Sequence, residues 1–136
     1  MKAPAHLALG VGLYVTVQVA QRGPTSLEAL LVGTSLVALG ALLPDADHPG
    51  SAIARVLGPV SQAACWLLSR LTGGHRGFLH SLWPVLLLWW LVWPLPEGYW
   101  LAVGYASHLA ADALTPAGVR LLWPWPWPWR VPRLPA

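Results

Sequence analysis

Leu27 to Leu43 carries a single charge, Glu28, and runs directly into Pro44-Asp45-Ala46-Asp47-His48-Pro49. A stretch that long and apolar has two homes. It is a helix buried on all sides or one that faces lipid, since about 17 to 25 residues cross a bilayer core. Three more runs share its character. Leu7 to Ala20 is apolar apart from Thr16 and Gln18, Phe78 to Pro96 is rich in Leu and Trp, and Tyr99 to Leu114 ends in Thr115-Pro116-Ala117-Gly118. Composition decides between the two homes. Charged residues make up 10% of the 136 residues and hydrophobic ones 56%, with mean hydropathy +0.54. Soluble domains carry about 25% charged residues. The chain is therefore expected to be one all-α membrane domain, residues 1–136, with four short spans at about 6–20, 27–43, 78–96 and 99–114. No small-residue cleavage site follows the first run, which is read as a retained helix.

The connections carry their own signals. Ser26 offers a cap to the second helix, and Glu28 faces the positive end of its dipole. Pro84 disfavours a bond to the carbonyl of His80, so the third helix either begins near Pro84 or kinks beside His80. Within residues 51–72, Ile53, Val56, Leu57, Val60, Ala64, Leu67, Leu68 and Leu71 share one helical face, with Arg55, Gln62, Ser69 and Arg70 opposite. That pattern predicts an amphipathic helix lying in the membrane interface, broken at Gly58-Pro59. The tail, residues 119–136, contains Trp123-Pro124-Trp125-Pro126-Trp127-Pro128-Trp129. Alternating proline forbids a helix there. Full extension would put all four tryptophans on one face, whereas polyproline II would spread them round the axis. Tryptophan favours the headgroup level, so an interfacial strap is expected; a proline-rich ligand for a partner domain is the other reading.

Charge and cysteine narrow the partners. The net charge is +3, but the arginines form no stripe, so nucleic acid is not expected and membrane lipids are. Cys65 stands alone, which excludes an intrachain disulfide and a cysteine metal site and leaves it as a small apolar filler.

Four spans divide the charges unevenly. One side receives Lys2, Arg55, Arg70, Arg76, Arg120, Arg130 and Arg133; the other has only Arg22. Positive loops prefer the cytoplasm, so both termini are expected there, as in a bacterial inner membrane protein. The same division sets every histidine and aspartate near the cytoplasmic face, with Glu28 and Glu97 on the other.

Those residues form three clusters. His108 and Asp112 are four apart, on one face of a helix and about 6 Å apart along its axis, a spacing that grips one cation. A hydrogen bond between helices is the plainer use, but an aspartate in a span costs about 2.5–3.5 kcal/mol and calls for compensation. Asp45, Asp47 and His48 sit in a proline-bounded turn, where solvated helix termination is the plainer account. His75 and His80 flank Arg76 among Gly73, Gly74 and Gly77, which permit close backbone approach. Arg76 can pair bidentately with phosphate or simply anchor in headgroups. His6 lies at the same membrane level. Such oxygen and nitrogen donors suit zinc, with manganese or iron compatible.

The three motifs Leu43-Pro44-Asp45-Ala46-Asp47-His48-Pro49, His75-Arg76-Gly77-Phe78-Leu79-His80-Ser81, and Ser107-His108 through Asp112 to Val119 resemble, in this order, the YdjM-like family of predicted membrane-bound metal-dependent hydrolases. The likeness runs from His6 to Pro124. It implies four membrane helices, a metal-dependent hydrolase, and His6, Asp45, Asp47, His48, His75, His80, His108 and Asp112 as ligands.

The expected function is hydrolysis of a phosphoester, lipid-linked or near the cytoplasmic leaflet, with two or three zinc ions activating water. Asp45 would accept a proton and Arg76 would steady phosphoryl charge. Two rivals share these residues: a lipid amidase or esterase, and a non-enzymatic metal-binding scaffold whose Trp-Pro tail holds a partner. No His-Glu-x-x-His motif is present for a metalloprotease. Four short spans also leave room for a homo-oligomer.

Overall fold

The computed structural model describes residues 3–21, 23, 26–56 and 58–126. The expectations for Lys2, Arg22, Trp127, Trp129, Arg130 and Arg133 lie outside them. Six α-helices and no strand occur among the described residues: α1 (Ala3–Ala20), α2 (Leu27–Leu42), α3 (Ala52–Val56), α4 (Pro59–Leu71), α5 (Leu82–Val92) and α6 (Tyr99–Ala113). Two short 3-10 helices, Leu43–Asp47 and Phe78–His80, precede α3 and α5.

The chain is built around α6. It buries Trp100, Ala102, Gly104, Tyr105, Ser107, His108, Leu109, Ala111 and Asp112. Its most extensive contact is with α2, and it also meets α1 and α5. Small residues make the α2–α6 contact close. A Cβ on Gly40 would strike the carbonyl of Leu101, and one on Gly104 would strike that of Val37. Such small-residue contacts are what lipid-embedded helices use, where no hydrophobic force drives them together. Gly10 of α1 faces Ser107 Oγ and Ala41 in the same manner.

Among the described residues two helices are long and apolar enough to cross a membrane, α1 and α2 extended by its 3-10 turn (Leu27–Asp47). Only 17% and 28% of these windows are buried in the protein. A soluble core helix would be mostly covered, so these surfaces are of the kind that faces lipid. The expected third span is interrupted. Residues 78–80 are 3-10, and Ser81 caps α5 by accepting from the Trp83 N–H at 3.4 Å. The helix thus begins near Pro84 rather than kinking there. Its 11 residues reach about 16 Å and the 15 of α6 about 22 Å, both short of a hydrocarbon core of about 30 Å.

The expected 51–72 helix is two helices, parted at Gly58, whose φ of 59° favours glycine, with Pro59 opening α4. Val60, Trp66, Leu67 and Leu71 of α4 are exposed, and Arg70 lies over the Trp66 ring. Cys65 is the one buried residue of α4, as a filler should be. Burial, and then the charge of Asp47, pushes its thiol above the usual range. The described part of the tail turns instead of running extended. Trp123 N–H donates to the Arg120 carbonyl and Trp125 N–H to that of Leu122. Trp123 packs on Phe78 and over Gly73, while its carbonyl accepts from Trp83 Nε1 at 2.8 Å.

Candidate metal centre

Four chain segments reach one end of the helix assembly. His6 closes the first turn of α1. Asp45 and Asp47 sit in the 3-10 turn after α2, where Pro44 prevents simple continuation. His80 closes the 3-10 turn before α5, and His108 and Asp112 occupy the last turns of α6. The C-termini of α2 and α6 and the N-termini of α1 and α5 therefore meet here, so the helix dipoles largely offset one another and the carboxylates supply the charge that favours a cation.

Seven of the eight expected ligands fall into three groups that can hold a metal ion: His6–His108–Asp112, Asp45–His80–His108 and Asp47–His75–His80. The groups share His80 and His108. His108 Nε2 and His80 Nε2 each stand 3.6 Å from Asp45 Oδ1, and 4.0 and 3.9 Å from Asp112 Oδ2. His80 Nδ1 is 3.8 Å from Asp47 Oδ2. These separations exceed hydrogen-bond reach. Two ligands at about 2.0–2.2 Å from one ion would stand roughly 3–3.6 Å apart. The donors are thus spaced almost as ligands are.

Their hydrogen bonding fits that use. His6 Nδ1, Asp47 Oδ2, both ring nitrogens of His80 and His108 Nε2 are buried without a hydrogen-bond partner among the described residues. A buried polar atom left unpaired costs about 1–3 kcal/mol, and so many in one place point to a missing common partner. His108 is prepared for one. Its Nδ1 lies 2.7 Å from the Ala41 carbonyl, an acceptor only, so Nδ1 carries the proton and Nε2 presents a lone pair. All five histidines also form a continuous row of ring contacts. His6 stacks on His108 at 3.7 Å between centroids, and His108–His80, His80–His75 and His75–His48 follow at 5.3, 4.9 and 4.9 Å.

His48 is set apart from the three groups. It adopts extended backbone at the end of the 3-10 turn, and its Nδ1 accepts from the Gly50 N–H at 3.0 Å. His75 is the exposed member of its group, its Nδ1 bonded to Asp47 Oδ1 at 2.8 Å.

Arg76 is held by two partners. Its φ of 67° is left-handed, uncommon outside glycine. Nη2 pairs with Asp112 Oδ2 at 3.1 Å and Nη1 donates to the Gly118 carbonyl at 2.7 Å. The guanidinium is turned onto a candidate ligand. Asp45 is the most open of the three aspartates, with its side chain 18% exposed against 0% for Asp47 and 3% for Asp112. It also lines a cavity of about 540 Å³ together with His75 and His48.

Sequence reasoning could not name the supports that are backbone. The carbonyls of Ala41 and Gly118 carry no residue signature. Tyr105 is equally hidden. Its hydroxyl donates to the Leu79 carbonyl at 2.5 Å and holds the His80 turn against α6.

Known proteins give the same chain a context. The family model described as YdjM inner membrane protein matches residues 1–136. The inner membrane proteins YdjM of Escherichia coli (strain K12) and of Shigella flexneri are each 36% identical over 146 residues, covering 98% of this chain and 71% of the relative. The uncharacterized protein YvsG of Bacillus subtilis (strain 168) is 35% identical over 99 residues, 70% of this chain and 59% of its own. No solved structure matches significantly.

Proposed function

The chain belongs to the YdjM inner membrane protein family, and we propose that it is a membrane-embedded, metal-dependent hydrolase acting on a phosphoester near the cytoplasmic leaflet. One observation supports this most: among the described residues, five donor atoms from four separate segments are buried without hydrogen-bond partners, and their residues join Asp45, His75 and Asp112 in three groups whose candidate ligand atoms lie within 4.8 Å of one another. His6, Asp45, Asp47, His75, His80, His108 and Asp112 would hold two or three divalent ions, zinc by the donor chemistry. Ions so held supply Lewis acidity toward water and toward a phosphoryl oxygen.

The residues do the rest. His80 and His108 offer lone pairs from positions fixed by packing and by the Ala41 carbonyl. Asp45, open to the cavity, takes the proton from water, and we assign that task to its second oxygen, Oδ2. Hydrolysis then puts the water oxygen on phosphorus and returns a proton to the departing alkoxide. Arg76 orients Asp112 through its 3.1 Å contact, a positioning role in place of the expected one on the phosphoryl group. Four spans with both termini in the cytoplasm complete the reading, α5 and α6 being shorter than α1 and α2 and lengthened by their flanking turns.

The test is hydrolysis by purified protein in lipid nanodiscs, offered phosphatidic acid, a phosphodiester lipid, a ceramide and a carboxylic ester lipid. Phosphate-ester cleavage is expected, lost to a chelator, restored by zinc and reduced at least 100-fold in His80→Ala. Turnover of the amide or ester alone, or activity indifferent to the chelator, would overturn it.

A further inference from the structure

The 540 Å³ cavity beside the donors is lined by Asp45, His48 and His75 and also by Arg55 of α3. Its volume is that of a small-molecule site. We propose that this cavity receives the anionic phosphate group of the substrate and that Arg55 is its anchor and specificity residue. The proposal rests on the hydrolase reading above.

Three observations carry it. Arg55 is exposed, and no carboxylate pairs with it among the described residues, so its fork of donors remains available. A planar guanidinium meets phosphate through two parallel hydrogen bonds, which gives geometry as well as attraction. Second, this cavity has a carboxylate of the donor groups in its wall, which brings a ligand held by Arg55 to the reacting end of the site. Third, the alternatives are poorer. A cavity of about 270 Å³ lies across His75 and is lined by Arg76 and Arg120, but by no aspartate. Its Arg76 is already bound to Asp112 and Gly118. The apolar groove of about 380 Å³ between α5 and α6 offers no cation. Asp45 would repel a phosphate unless its charge were offset, so binding should need both Arg55 and a loaded centre.

The experiment separates binding from turnover. Full-length protein in phosphatidylcholine nanodiscs is loaded with zinc, its metal content is measured, and phenylphosphonate is titrated by calorimetry. A second arm measures competition of that binding by nanodisc-borne phosphatidic acid. Arg55→Ala and Arg55→Gln are expected to weaken phenylphosphonate about tenfold or more at unchanged zinc content, with Arg55→Lys recovering part of the loss. Competition by phosphatidic acid supports a lipid headgroup as the source; binding of the soluble probe without competition supports a free phosphate compound. Equal binding by wild type and both neutral variants, at full zinc occupancy, overturns the proposal and leaves the hydrolase reading standing. Zinc-free wild-type protein overturns the hydrolase reading instead. Where Arg55→Ala does not fold, Arg55→Lys and Arg55→Gln, checked by circular dichroism, decide.

Discussion

His80 is the residue on which most of the site turns. It belongs to two of the three donor groups, both its nitrogens are buried without a hydrogen bond, and its ring touches those of His75 and His108. His80→Ala should therefore remove more metal than any other single histidine change, whereas His48→Ala should leave metal content nearly intact; equilibrium dialysis against zinc compares them. Arg76→Ala should weaken zinc about 10–100-fold through loss of the Asp112 contact, the usual effect of removing a partner of a ligand. Dialysis with unchanged affinity would return Arg76 to a role on the substrate. The residue types were legible in the sequence, because histidines and aspartates are conspicuous in so apolar a chain. Their aim was not. His48 differs from Asp47 by one step along the backbone, yet a 3-10 turn followed by an extended residue sends its ring toward Gly50 and His75. Arg76 finds Gly118 across 42 residues of chain, a contact no local pattern announces.

At the scale of elements, the close approach of α2 and α6 connects packing to chemistry. The Ala41 carbonyl that holds His108 is next to Gly40, whose missing Cβ lets α2 rest on Leu101. Gly40→Ala and Gly104→Ala should each cost about 1–3 kcal/mol by overpacking and reduce zinc affinity by moving that carbonyl. Gly12→Ala is the comparison, since a Cβ there meets nothing within 4 Å. Thermal unfolding in detergent should show lowered midpoints for the first two and none for the third. Helix positions followed from apolar runs and from proline and glycine. Helix lengths did not: Phe78 to Pro96 reads as one run, but the Ser81 cap and Pro84 start a helix late. The first turns of the tail also defeat a purely proline-based reading, because Trp123 finds both a ring partner and a hydrogen-bond donor in the body of the protein.

For the whole molecule, charge scarcity and the exposed apolar faces of α1 and α2 agree with membership of an inner membrane family. The asymmetry of positive residues predicts an orientation, with both termini in the cytoplasm. Cytoplasmic reporters fused after Met1 and after Ala136 should both be active, and one inserted at Gly23 should not. Opposite activity at the two termini would remove one span from the count and the shared membrane level of the donors with it. That shared level matters because four segments, far apart in sequence, offer donors with buried atoms that have no hydrogen-bond partner among the described residues. The decisive measurement is elemental analysis of detergent-purified protein beside a His108→Ala/Asp112→Ala variant. Divalent metal at one or more equivalents in the first, and loss of most of it in a second that remains helical, is the predicted result. Wild-type protein that is folded and metal-free whatever divalent ion is supplied would contradict it.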